Sequence, residues 1–111
     1  MDGNKALICV LFDFYGELLT QPVADSIDMY YNEDLSLSEI AENIGISRQG
    51  VRDDLKRGVE LLYHYEEKLR LYERYKNNTV TVGKCKELLN KSNALTGEKE
   101  SIVSLLDSLV L

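Results

Sequence analysis

The stretch that decides the fold runs from Ser36 to Lys56 and reads SLSEIAENIGISRQGVRDDLK. Ser36 and Glu39 have the spacing of a capping box, in which the serine hydroxyl accepts the Glu39 amide hydrogen while the glutamate reaches back to the serine amide. The pattern predicts a helix that begins at Leu37. One face of this helix is apolar and carries Leu37, Ile40, Ala41 and Ile44.

A second helix is predicted after a tight turn. Gly45 stands where a chain that leaves a helix often needs a positive φ, and Ser47 can cap a helix that starts at Arg48. Ala41 is small, which lets two helices cross at close range. Together these features predict a helix-turn-helix unit at Leu37 to Lys56, in an all-α protein. The second motif helix is expected to bury Val51 and Leu55.

Two further helices are predicted before the motif. Asn4 to Leu19 is apolar on nearly every side, so this helix is expected to be largely buried, within the chain or against a partner. Thr20 can cap the next helix, which tolerates Pro22 in its first turn and is expected to run to about Tyr31.

The helix that starts after Ser47 is predicted to be long. No proline interrupts the chain up to Lys76, and apolar or small residues recur at alternating steps of three and four, as in a coiled-coil seam. The seam comprises Leu55, Gly58, Leu62, Tyr65, Leu69 and Tyr72. We also predict a short helix at Thr81 to Leu89 and an amphipathic one at Glu98 to Val110, which should lie on the long helix of its own or a partner chain.

These elements predict a helix-turn-helix domain at residues 1–60. Residues 61–111 are expected to form a helical extension with C-terminal helices, packed on it or on a partner chain. The apolar surface exceeds what one 111-residue chain can cover, so we expect a homodimer. The alternative is a monomer in which the C-terminal helix folds back as a closed hairpin.

Composition places the protein among soluble, ordinary globular chains, with 44% hydrophobic and 29% charged residues. The longest apolar run, Ala6 to Phe12, is too short for a membrane span, and no cleavage pattern follows it. We therefore expect a cytoplasmic protein without membrane insertion. Cys9 and Cys85 lack the spacing of a metal site, and the expected state of both is a reduced thiol.

Candidate partner-binding residues lie on the outward face of the second motif helix. They are Ser47, Arg48, Gln49, Arg52, Asp53, Lys56 and Arg57. In a DNA complex this helix would enter the major groove, with Arg52 or Gln49 on base edges and the other cations on phosphates.

The charge of the chain argues against nucleic-acid binding. The formal net charge is −6, and residues 1–35 account for all of it, with seven acidic side chains against one basic. Asp53 and Asp54 also stand among the cations and would be repelled by phosphate. Two interpretations of the face therefore remain open, a nucleic-acid contact and a face that is solvated or meets another protein.

An enzymatic function is not indicated. The single histidine, His64, lies on a polar helix face, and the chain contains no glycine-rich phosphate loop, nucleophile elbow or ligand cluster. We expect no catalytic residues, no metal site and no cofactor.

Several segments, in one order, resemble the YlxM family of small helix-turn-helix proteins from Gram-positive bacteria. The resemblance covers most of residues 7–76, whereas the C-terminal third diverges. Two departures are Gly50, where alanine is usual, and Asp54, where related units place an apolar residue. The segments are Leu11-Phe12-Asp13-Phe14-Tyr15, Leu18-Leu19-Thr20, Met29-Tyr30-Tyr31, Leu37-Ser38-Glu39-Ile40-Ala41-Glu42, Ser47-Arg48-Gln49-Gly50-Val51, Tyr65-Glu66-Glu67-Lys68-Leu69 and Leu71-Tyr72-Glu73.

The resemblance implies a fold similar to region four of bacterial sigma factors. It also implies a regulatory or accessory role in the signal recognition particle pathway, with the particle's GTPase or its small RNA as partner. The alternative is a sequence-specific DNA-binding transcription regulator that uses the same face.

Overall fold

The computed structural model describes residues 4–92 and 96–109, and these residues form helices and no strands. A 3₁₀ turn at Gly16–Leu18 follows the first helix, and a π turn at Asp28–Asn32 follows the second. The all-α fold class predicted from the sequence is confirmed. The helices are α1 (Lys5–Tyr15), α2 (Gln21–Ile27), α3 (Leu37–Ile44), α4 (Arg48–Leu69), α5 (Leu71–Lys91) and α6 (Thr96–Asp107).

The chain divides into two compact units, Met1–Arg70 and Leu71–Leu111, which we call unit 1 and unit 2. Unit 1 contains α1 to α4 and hence the whole helix-turn-helix motif. The division predicted from the sequence, after residue 60, stays a prediction about domains. The compact unit that carries the motif extends ten residues further, to the end of α4.

The motif has the local structure that its sequence predicts. Both hydrogen bonds of the capping box are present, from the Glu39 amide to Ser36 Oγ at 3.1 Å and from the Ser36 amide to Glu39 Oε1 at 3.0 Å. The hydrogen bond that the Ser36 amide donates to the Glu39 carboxylate, with a smaller contribution from the Ser36 side chain, lowers the pKa of Glu39 because it stabilises the ionised form. Gly45 ends α3 with φ of 84°, in the left-handed region, and open space surrounds the position of a Cβ there.

The core of unit 1 forms around α4, which packs against α1, α2 and α3. Ile40 and Ala41 of α3 are buried beside it, as their spacing predicts. Because α4 is the shared neighbour of the other helices, their packing fixes which of its faces points outward. Its own buried residues are Val51, Leu55, Gly58, Val59 and Leu62.

At Gly58 the backbone of α4 lies close against side chains of α2. A Cβ at this position would lie 2.8 Å from Val23 Cγ1 and 3.0 Å from Ile27 Cγ1 and Cδ1. Real side chains essentially never come this close, so the crossing depends on the absence of a side chain at residue 58. Gly58 belongs to the apolar seam predicted from the sequence, and α2 packs against the seam at this position.

The first two helices end differently from the prediction. The regular part of α1 stops at Tyr15, short of the predicted end at Leu19. Thr20 is the N-cap residue of α2, as expected, but its side chain makes no cap hydrogen bond. After Ile27 the helix widens into the π turn, where the Glu33 amide donates to Asp28 O at 3.1 Å. The wider turn ends with Tyr31 buried, which is consistent with its expected inward position.

The long motif helix is interrupted, contrary to the prediction of an uninterrupted pattern to Lys76. Arg70 adopts a left-handed conformation with φ of 56°, and its amide donates to Glu66 O at 2.9 Å. Leu62 is the last fully buried residue of α4, and Leu69 is 44% exposed. The helix thus ends two turns beyond its last fully buried residue, and neither glycine nor proline marks the position.

Unit 2 is a pair of helices in contact, α5 and α6, linked by an ion pair of 2.6 Å between Lys86 Nζ and Asp107 Oδ1. The predicted short helix at Thr81 to Leu89 is wrong in extent, because α5 continues without a break through Asn77 and Asn78. The helix predicted at Glu98 to Val110 begins earlier, at Thr96, and Val110 lies outside the described residues. In both helices only Val82 is buried.

None of the described helices is both long enough and apolar enough to cross a membrane.

Candidate nucleic-acid interface

The first turn of α4 is fixed by its cap. Ser47 Oγ accepts the Gly50 amide hydrogen at 3.0 Å, so the candidate residue Ser47 acts as the N-cap of the helix. Val51 and Leu55 are fully buried, which turns the opposite side of the same turns toward solvent. The other predicted binding residues, from Arg48 to Arg57, are exposed on these turns.

Three of these residues form a cationic stripe. Arg48, Arg52 and Lys56 follow one another at four-residue intervals, so their side chains lie along one side of the helix. Eight residues of α-helix rise about 12 Å, so the three charges are spread over more than two turns of α4. A stripe of this length can meet more than one phosphate of a nucleic-acid backbone.

Gln49 and Asp53 form a hydrogen-bonded pair beside the stripe. Gln49 Nε2 donates to Asp53 Oδ1 at 3.0 Å, across one turn of the helix. Both side chains are exposed. The carboxylate is thus engaged with an amide, although Arg52 and Lys56 are close along the helix.

A shallow groove of about 460 Å³ brings most of these groups together. Buried Tyr31, Leu55 and Val59 contribute apolar lining, and polar side chains of α4 complete it. A smaller depression of about 410 Å³ beside it is lined by Leu37, Arg48, Gln49 and Arg52. The polar residues lining the first groove are Gln49, Arg52, Asp53, Lys56 and Glu60.

Two of the predicted cations have partners within unit 1. Arg48 Nη1 donates to Ser38 Oγ of α3 at 3.4 Å, which joins the two motif helices at the surface. Arg57 Nη1 lies 3.8 Å from Asp54 Oδ1, and Arg57 does not line the groove. The side chain of Asp54 is only 18% exposed, so this charge is partly covered.

Four residues that line this groove were not among the predicted binding residues, and one of them, Leu55, was predicted only as a buried residue of the motif. Tyr31 was assigned only to the core, and Val59 and Glu60 lie beyond the stretch that the motif defines. No sequence pattern indicates that Tyr31 lines the groove, because this position depends on how the end of α2 lies against α4. The helical spacing of Glu60 from Lys56 could have included the glutamate.

The electrostatics of the motif are mixed. Residues 37–60 hold four basic and five acidic side chains, so the cations act as a local stripe within a region of no positive net charge. A phosphate backbone would be attracted only in the orientation that presents the stripe. Within the described residues, no group of three or more His, Cys, Asp or Glu is placed to hold a metal ion.

Comparison with known proteins points to one family. The sequence model of UPF0122, described as "Putative helix-turn-helix protein, YlxM / p13 like", matches residues 4–102. UPF0122 proteins of Bacillus cereus strains AH187 and G9842 are each 40% identical over 99 residues, which covers 89% of this chain and 90% of theirs. A UPF0122 protein of Bacillus anthracis strain A0248 matches to the same extent.

Proposed function

Because the chain belongs to the UPF0122 family of helix-turn-helix proteins, we propose that it is a non-enzymatic, cytoplasmic regulatory or accessory protein whose helix-turn-helix unit binds nucleic acid or protein. Its proposed setting is the signal recognition particle pathway, with the particle's small RNA or its GTPase as partner. The setting is supported by the resemblance of the motif segments to the YlxM family. The binding role is supported by the cationic stripe on α4.

The stripe is the single observation that carries the binding role. The stripe comprises exposed side chains on the turns of α4 whose inner side buries Val51 and Leu55, namely Arg48, Arg52 and Lys56. Such side chains bind phosphate oxygens and release condensed counterions, which makes affinity fall as salt rises. RNA duplexes have a deep, narrow major groove that side chains cannot read, so an RNA partner would be contacted mainly through phosphates.

The alternative function is that of a sequence-specific DNA-binding transcription regulator. One observation favours it, the exposed position of the first turns of α4, the second helix of the motif. Gln49 stands at the start of α4, the part of a recognition helix that contacts base edges in helix-turn-helix complexes.

Separate titrations test these functions. The chain is titrated with labelled duplex DNA, with the particle's RNA and with its GTPase, from about 50 to 200 mM salt. Three phosphate contacts predict a log–log slope of about −3 for duplex DNA. Binding of RNA or GTPase alone would support the accessory role, whereas binding of a preferred DNA sequence would support the regulator. A salt-independent affinity for every nucleic acid, or none at all, would contradict the binding role of the stripe.

We further propose that residues 61–111 serve association and that the protein is a homodimer. Unit 2 buries almost no apolar side chains of its own. Exposed apolar residues lie on one side of each of its helices, Val80 and Leu88 on α5 and Ile102 and Leu105 on α6. A unit of this size rarely folds stably without further burial. Charge supports pairing of α5 with α6 between copies as well, since α5 holds five basic and two acidic residues and α6 one basic and three acidic.

Charge insertion on unit 2 tests the dimer. Sedimentation equilibrium of the parent at micromolar concentration should give about twice the chain mass. Leu88 and Leu105 are 70% and 68% exposed, so the Leu88→Glu/Leu105→Glu variant should sediment as a monomer, since a carboxylate is costly to bury. Leu18→Glu, at a comparably exposed leucine of unit 1, is the control and should leave the mass unchanged. A parent that remains monomeric throughout would overturn the dimer and support the closed hairpin.

A further inference from the structure

We propose that Asp53 is a positioning residue, which orients Gln49 to read an adenine in duplex DNA and weakens binding to other sequences. The inference rests on the DNA-binding form of the proposed function. It assigns a specificity role to the acidic residue that, by charge alone, argues against nucleic-acid binding.

The hydrogen bond between the two side chains defines the orientation of the Gln49 amide. An ionised carboxylate can only accept, so the NH₂ group of Gln49 and not its carbonyl must face Asp53, as the 3.0 Å contact from Nε2 to Oδ1 has it. The second Nε2 hydrogen and Oε1 then remain for a ligand. This is the donor and acceptor set that a glutamine presents to adenine, with the NH₂ group toward N7 and the carbonyl toward the N6 amino group.

Asp53 makes this contact in preference to an available ion pair. Lys56 is three residues further along the helix, within the usual reach of a side-chain pair, yet no ion pair joins Lys56 to Asp53 in the part of the chain that the structure describes. Lys56 lines the same groove as Gln49 and Asp53. The arrangement leaves the ammonium for a phosphate and uses the carboxylate to hold the amide.

The negative charge of Asp53 also weakens non-specific binding to phosphate. A carboxylate beside Arg52 and Lys56 reduces the attraction of this face for any phosphate backbone, whatever the base sequence. A bidentate glutamine–adenine contact compensates at the matching site only. Asp53 should therefore raise the ratio of specific to non-specific affinity, because its charge weakens phosphate binding everywhere whereas the oriented Gln49 contact offsets that loss only where adenine is present.

The test uses the full chain, random-sequence duplex DNA and selection of the bound fraction. The parent should enrich adenine at one position, with roughly tenfold or greater preference over other bases, and Gln49→Ala should abolish the enrichment. Asp53→Ala should reduce the enrichment while binding random duplex roughly fivefold more tightly at low salt. The gain in affinity follows from the lost charge alone, so the fall in adenine enrichment is the result that separates positioning of Gln49 from a purely electrostatic role of Asp53. Asp53→Glu, which keeps a carboxylate, should restore part of the preference.

Asp13→Asn is the matched control, because it removes one exposed carboxylate from α1 and leaves Gln49 untouched. It should change neither the enrichment nor, by more than a small factor, the affinity. If Asp53→Ala keeps the full adenine preference, or if the parent enriches no adenine while binding duplex DNA, the inference is overturned and the binding function stands. If the parent binds no duplex DNA at any salt, the inference and the DNA-binding function fail together.

Discussion

Replacing Gly58 by alanine should lower the free energy of unfolding of unit 1 by about 2 kcal/mol, since overpacking a tight contact typically costs 1–3 kcal/mol. The added Cβ would come within 2.8 Å of Val23 Cγ1 and within 3.0 Å of Ile27. Alanine also gains up to about 1 kcal/mol of helix propensity over glycine, so the observed loss is the steric cost less this gain. Urea unfolding followed by circular dichroism measures it.

Two companion variants separate steric overlap from other causes. Gly83 lies inside α5 and has open space around its Cβ position, so Gly83→Ala should be neutral or stabilising. Val23→Ala removes the methyl group nearest to residue 58, so the double variant Gly58→Ala/Val23→Ala should lose less than the two single variants together. Strictly additive losses, or a Gly58→Ala chain as stable as the parent, would show that the helices do not cross as closely as described.

Replacing Arg52 and Lys56 together by alanine should weaken duplex DNA or RNA binding about ten- to hundredfold near 0.1 M salt. Each lost phosphate contact removes one released counterion, so the log–log salt slope should become shallower by nearly two. Both side chains are exposed and make no ion pair within the described residues, so their removal should leave the fold intact. Fluorescence anisotropy across a salt series gives both quantities.

The control for this pair removes the same charge elsewhere. Arg74→Ala/Lys84→Ala takes two exposed cations from α5 and so changes the net charge equally. If both double variants lose the same affinity, the effect comes from net charge alone. If the Arg52→Ala/Lys56→Ala chain binds every candidate partner as well as the parent does, the outward face of α4 is inert.

Local signals explain why the motif could be predicted from the sequence. Ser36, Glu39 and Ser47 make bonds to amides three residues away, and Gly45 meets a backbone requirement of its own turn. None of these depends on a distant partner. The predicted starts of α3 and α4 are accordingly confirmed.

The features that were missed depend on packing between elements distant in sequence. Arg70 ends α4 in a left-handed conformation within a stretch of good helix formers, and no local sequence signal marks this position. The groove beside Gln49 requires Tyr31 to lie against α4, which no local pattern indicates. The exposed position of the candidate side chains followed from helical periodicity, but the pairing of Gln49 with Asp53 instead of a cation did not.

Glycine occupies positions 58 and 45 of unit 1 for unrelated reasons. At 58 the constraint is volume, whereas at 45 an added Cβ would meet no atom within 4 Å. What excludes other residues at 45 is handedness, because a φ of 84° crowds the Cβ of an L-residue against its own backbone. A mirror-image alanine, for which positive φ is the favoured region, would fit the turn and restrict the unfolded chain. Ribosomal synthesis offers no such residue, and glycine serves there as the achiral substitute.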